Sequence, residues 1–96
     1  MRHNFLVTYD IRNDKRLRRV FRICKDFGMH LQYSVFECDL TPTDKIRMES
    51  RLKEAMNLTE DQVLFVDLGP ASLRGERTIS ALGQSYVKLD PPCFIA

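Results

Sequence analysis

The sequence predicts an α+β sandwich, with two helices packed on one face of an antiparallel sheet. Two observations lead there: apolar residues alternate at a period of two before residue 11, and a helical pattern takes over directly afterwards. A third is that this succession of strand and helix recurs further along the chain.

From Asn4 to Asp10, Phe5, Val7 and Tyr9 fall on one face, and Leu6, Thr8 and Asp10 on the other. This is a strand, and it gives way at Arg12-Asn13-Asp14, where Asn13 or Asp14 can cap a helix by accepting from its free backbone N–H groups. In the helix, Leu17, Val20, Phe21, Cys24 and Phe27 form one apolar stripe opposite Arg18, Arg19 and Arg22. Gly28 is expected to end it in a left-handed conformation. The segment "MHLQYSVFECDL", from Met29 to Leu40, is rich in strand formers and long enough to bend into two, although local chemistry does not place the bend.

A second helix opens with Thr41 as cap and Pro42 at its first position, burying Met48, Leu52, Ala55 and Met56 and leaving Ile46 off the stripe. "QVLFVDL", from Gln62 to Leu68, is nearly all apolar and is expected to be a central strand covered on both faces. After a loop at Gly69-Pro70, "RTISALG" reads as a further short strand, and residues 84–96 as an edge strand and proline-limited tail. This order points to a ferredoxin-like βαββαβ sandwich with an additional C-terminal strand, in a single domain spanning residues 1–96. One sheet face is left without helices. Leu6, Thr8, Phe36 and Cys38 are expected there, so a second copy of the chain is the economical cover, in a two-fold homodimer.

Composition excludes several classes of function. No apolar run approaches the roughly 20 residues that span a bilayer, so a membrane role is not expected. "MRHNFLVTYD" enters the first strand without the apolar core of a secretion signal, and a cytoplasmic location is expected. Three widely spaced cysteines suit reduced packing thiols, and with His3 and His30 they make no zinc-binding spacing. Nucleotide-binding glycine loops and EF-hand spacing are also missing. The net charge of +2 hides an asymmetry. Residues 1–36 carry eight Lys and Arg against three acids, a net of +5, and that first third is where a polyanion would land.

The candidate chemistry centres on Asp10. An aspartate at a strand end is commonly a turn or cap residue, but a two-fold axis nearby would set two Asp10 carboxylates against each other. Their repulsion would be relieved by a cation. Mg²⁺ suits such a site, because it keeps several waters and is commonly held by one or two carboxylates plus substrate phosphate. Asp14 is assigned to helix capping rather than to the metal. The helix face of Lys15, Arg16, Arg18, Arg19, Arg22 and Lys25 has almost no acids interspersed before Asp26 and is a candidate phosphate contact, positioning a backbone without reading sequence. Ser34 lacks a histidine base or nucleophile turn, leaving a hydrogen-bonding role near the dimer axis.

"YDIRNDKRLRRVFRICKDFGMHLQYSVFECDL" closely resembles the signature of the second CRISPR-associated protein family, the small dimeric subunit of the spacer-acquisition machinery. The match continues more weakly through the second helix, "EDQVLFVDL" and "ISALG", and the joint occurrence of "YDI", "KRLRRV" and "QYSVFE" is its specific part. The resemblance implies a ferredoxin-like homodimer with open sheet faces meeting, a metal-binding aspartate at Asp10, and phosphate contacts at Arg16, Arg18 and Arg19. It further places Ser34 and Phe36 near the dimer axis and lets the C-terminal strand cross to the partner subunit. Two roles follow from it: a Mg²⁺-dependent endonuclease acting on RNA or DNA, or a non-catalytic scaffold holding DNA for a separate CRISPR integrase. A third reading, a ferredoxin-like dimer that binds a metabolite, is opposed by the excess of helix arginines.

Overall fold

The structure is a computed structural model and describes residues 1–71 and 80–83. Its elements are β1 (His3–Asp10), α1 (Asp14–Phe27), β2 (Met29–Gln32), β3 (Val35–Leu40), α2 (Pro42–Ala55) and β4 (Gln62–Pro70). The strands form one sheet in the order β2-β3-β1-β4, with every neighbouring pair antiparallel. With both helices on one face, this is the expected ferredoxin-like arrangement. Of the expected strand at "RTISALG", residues 77–79 lie outside the described residues and Ser80–Gly83 are not in a strand, while the tail at 84–96 lies wholly outside them.

Each helix start is fixed by a side chain that satisfies a free N–H. The Asn13 side chain accepts from Arg16 N at 3.0 Å, so Asn13 is the cap and Asp14 the first helical residue, not the cap. Asp14 still favours the positive end of the helix dipole. Thr41 accepts from Asp44 N at 3.0 Å, and the Asp44 carboxylate accepts from Thr41 N, which closes a capping box around Pro42. Gly28 departs from expectation. Its φ of −160° is extended, not left-handed. A Cβ there would collide with the Glu37 carbonyl and Cys38 Sγ, so close approach of β3 is what selects glycine.

The long segment from Met29 bends at Tyr33-Ser34, between β2 and β3. The turn is held from three directions. Tyr9 N donates to Ser34 O at 3.1 Å, and the Tyr9 hydroxyl (3.5 Å) and His30 Nε2 (3.2 Å) both donate to Tyr33 O. A carbonyl can only accept, so the His30 proton sits on Nε2. Burial raises the Tyr9 pKa above its ordinary value, which keeps the phenol a donor. His30 is itself buried, stacked on Phe36 at 4.6 Å between ring centroids and met edge-on by Phe21 at 5.2 Å.

The core lies between sheet and helices, where Phe5, Val7, Tyr9, Phe36, Cys38 and Leu40 meet Val20, Phe21, Ile23, Cys24, Met48, Leu52 and Ala55. Burial pushes the thiols of Cys24 and Cys38 up to about 12, so both remain protonated packing groups. Phe36 and Cys38 are thus corrected: they occupy the helix-facing side, and Phe36 lies away from the open face. The register explains why. Val7 is paired with Phe36 and Phe5 with Cys38, and cross-strand partners share a face. Even-numbered residues of β1 and odd-numbered residues of β3 consequently share the open face, where Leu6, Thr8, Val35 and Glu37 stand half-buried.

β4 is also corrected, from central strand to edge of the described sheet. Its open-face residues Leu64, Val66 and Leu68 remain 48%, 44% and 40% exposed, while Val63 and Phe65 pack partly on the core. The apolar composition of "QVLFVDL" reflects a second face that no helix among the described residues covers. No helix among the described residues is long and apolar enough to cross a membrane.

Candidate active site and phosphate-binding face

β1 delivers Asp10 to the end of the sheet with its side chain 67% exposed. Among the described residues its ion-pair partner is Arg12, with Nε at 3.8 Å from Asp10 Oδ1. Exposed pairs of this kind contribute about 0–1 kcal/mol, so Asp10 is held by its backbone and not by Arg12.

That backbone is anchored by a residue absent from the sequence-based site, Asp61, at the mouth of β4. Its side chain has no exposed surface. Asp61 Oδ1 accepts from Arg12 N at 2.8 Å and Arg16 Nη2 at 3.2 Å, while Oδ2 accepts from Arg16 Nε and Asn57 N, each at 2.8 Å. The Arg16 guanidinium, aided by the two backbone N–H groups, outweighs burial and holds the Asp61 carboxyl at about 2. One carboxylate therefore ties together the segment after Asp10, the first turn of α1 and the loop before β4. Sequence distance concealed it, since Asp61 is 45 residues from Arg16.

Arg16 changes role in consequence. Its Nη2 also donates to Glu60 at 3.0 Å, and its side chain is only 22% exposed. It is engaged within the chain and positions α1. Arg18 and Arg19 are exposed on the outer face of α1 and, like Arg22, make no ion pair among the described residues. Asp26, the acid near the end of that helix, is engaged by Arg51 of α2 at 2.9 Å, which leaves the arginines ahead of it unneutralised. Arg19 and Arg22 border a groove between the helices that Arg51 and Glu54 complete.

Ser34 is half-buried in the turn beside Tyr9, and its carbonyl rather than its hydroxyl makes the contact with β1. No cluster of three or more His, Cys, Asp and Glu is placed to hold a metal among the described residues. The exposed oxygens of Asp10 suit a hard cation, whose remaining positions waters or phosphate oxygens could fill.

The family model described as "CRISPR associated protein Cas2" matches residues 1–74, which include β1, α1, the Tyr33 turn and Asp61. The chain belongs to the Cas2 family. It is 43% identical over 86 residues to a protein of Geobacter sulfurreducens named CRISPR-associated endoribonuclease Cas2, covering 90% of each chain. A Rhodospirillum rubrum protein, named CRISPR-associated endoribonuclease Cas2 1, is 37% identical over 93 residues, covering 97% of this chain and 90% of that one. Among solved structures, Streptococcus pyogenes Cas2 superposes with a TM-score of 0.65 at 35% identity, covering 80% of this chain and 99% of the other. A further Cas2 crystal structure reaches a TM-score of 0.75 at 24% identity, covering 95% and 98%, a likeness of fold.

Proposed function

We propose that the chain is a homodimeric nucleic-acid-binding subunit of CRISPR adaptation with Mg²⁺-dependent endoribonuclease activity, acting in the cytoplasm. The observation that carries this reading is the exposed Asp10 carboxylate, held at the sheet end by the Asp61 anchor, in a chain whose outer α1 face carries unneutralised arginines. Relatives that match 90% or more of the chain carry the endoribonuclease name.

Two copies would meet through the open sheet faces, burying Leu6, Thr8, Val35, Leu64, Val66 and Leu68. That pairing would bring the Asp10 residues toward the two-fold axis, with Ser34 in the adjoining turn. Asp10 of each protomer would then hold Mg²⁺, which when bound supplies a polarised water and offsets charge on the phosphoryl oxygens. Arg18 and Arg19 grip backbone phosphates, and Arg16 fixes the helix that carries them. An Asp10→Asn variant should lose cleavage of single-stranded RNA by about 100-fold or more while still binding nucleic acid, a deficit of about 3 kcal/mol in the barrier. Cleavage at the wild-type rate would overturn the metal mechanism.

A second reading is a scaffold that holds DNA for a CRISPR integrase subunit. It is favoured by Arg12, whose guanidinium Nε stands 3.8 Å from Asp10 Oδ1 and offers that carboxylate a positive charge without a metal. Under that reading the Asp10→Asn variant retains spacer integration in the presence of the integrase.

A further inference from the structure

The groove between α1 and α2 has no part in the proposed cleavage. It is open to solvent, with a volume of about 400 Å³, and each helix supplies one turn of its lining. Arg19, Arg22 and Ile23 come from α1, and Arg51, Glu54 and Ala55 from α2, in both cases residues at i, i+3 and i+4 that share a helix face. Ile23 and Ala55 are buried and give the groove an apolar floor, while the four charged side chains are exposed. Three guanidiniums against one carboxylate leave the lining with a net charge of +2. Arg19, Arg22 and Glu54 make no ion pair among the described residues. Arg51 is already oriented: Asp26 accepts from its Nη2 at 2.9 Å, and its guanidinium carbon lies 5.7 Å from the centre of the Phe27 ring.

We infer that this groove docks an extended acidic segment of a protein partner, two of whose carboxylates, at alternate residues, meet the arginines. The inference goes beyond the nuclease reading and does not depend on the chemistry at Asp10. Alternate side chains of an extended segment point the same way, roughly 7 Å apart, so two carboxylates can face one row of guanidiniums together. Glu54 decides between a peptide and a nucleic acid as the occupant. A polynucleotide would bring successive phosphates against that carboxylate, whereas a peptide backbone brings an N–H donor at each residue for Glu54 to accept from. The apolar floor adds contact for side-chain methylenes. A guanidinium already held in place, as that of Arg51 is, lowers the ordering cost of the contact.

The test uses the full chain, isotopically labelled for amide NMR, and three probes. These are a capped octapeptide Gly-Ser-Asp-Leu-Asp-Leu-Ser-Gly, the same peptide with both Asp replaced by Asn, and a short DNA duplex. The acidic peptide should bind about ten-fold or more tightly than the Asn peptide, because hydrogen bonds between charged groups are the strong ones. Its amide shifts should be confined to the turns carrying Arg19, Arg22, Ile23, Arg51, Glu54 and Ala55. Arg22→Gln combined with Arg51→Gln should reduce the preference to below about two-fold. Lys15→Gln combined with Lys53→Gln removes equal charge from outside the groove and should leave the preference intact. Circular dichroism should show both double variants folded, since the exposed Arg51–Asp26 pair contributes about 0–1 kcal/mol. The inference is overturned if the acidic peptide shifts no groove amide at about 1 mM, or if the two double variants weaken it alike. It is equally overturned if the duplex displaces the peptide and itself shifts the amides of Arg51 to Ala55, which would make phosphate the occupant.

Discussion

Replacing Asp61 with asparagine tests the central structural claim about the site. The substitution keeps the shape but leaves one oxygen in place of two. If that oxygen continues to accept from Arg12 N, the new amide N–H₂ faces Arg16 Nε and Asn57 N, two donors now at 2.8 Å from Asp61 Oδ2. Each buried donor left without an acceptor costs about 1–3 kcal/mol, so with two such donors the variant should lose about 2–6 kcal/mol. For a domain of about 100 residues, 1 kcal/mol corresponds to about 4–8 °C, and a fall in Tm of at least about 10 °C is expected by calorimetry or circular dichroism at pH 7.

The pH dependence gives an independent check on Asp61. Its folded-state pKa is depressed to about 2 from an ordinary carboxyl value of 3.8, so its stabilisation is fully present above the unfolded value. That stabilisation fades as the pH falls through about 2. The gap between wild type and Asp61→Asn should therefore narrow across the window from about pH 4 to pH 2. A Tm change under about 3 °C at pH 7, or a gap that stays constant down to pH 2, would refute the anchor.

The arginines should separate by assay. Arg16→Ala lowers Tm clearly, because Asp61 is left buried without its cation. Arg18→Ala or Arg19→Ala leaves Tm within a degree or two and reduces the salt slope of nucleic-acid binding by about one. Val66→Glu, on the open sheet face, should convert the proposed dimer to a folded monomer in sedimentation, with circular dichroism unchanged. Gly28→Ala should cost about 1–3 kcal/mol in denaturant unfolding, since the new Cβ meets the Glu37 carbonyl, which cannot move without disturbing β3.

Local rules carried a large part of the fold. Period-two alternation located β1, the apolar stripe located α1, and Thr41-Pro42 marked the start of α2. Each depends on contacts within a few residues, as does the placement of Asp10 on the face opposite Tyr9. The misassignments have a common origin in pairing. Phe36 was expected on the open face because strand alternation says only that neighbours point to opposite sides, and not which side faces the helices. β4 was expected to be central because apolar composition reports that a strand is to be covered, without saying by what.

By itself, then, the sequence determined the order of elements, the basic face of α1 and the family signature around Asp10, all of which are local in the chain. Tertiary structure alone decided which arginines remain available and what holds the catalytic candidate in place. Asp61 captures Arg16 only after folding brings β4 beside β1, and a hydrogen bond at 2.8 Å between residues 45 apart leaves no periodic trace in the chain. The same is true of Tyr33. A tyrosine in "QYSVFE" is one more strand former until the Tyr9 and His30 side chains hold its carbonyl in the turn between β2 and β3 and leave its ring exposed.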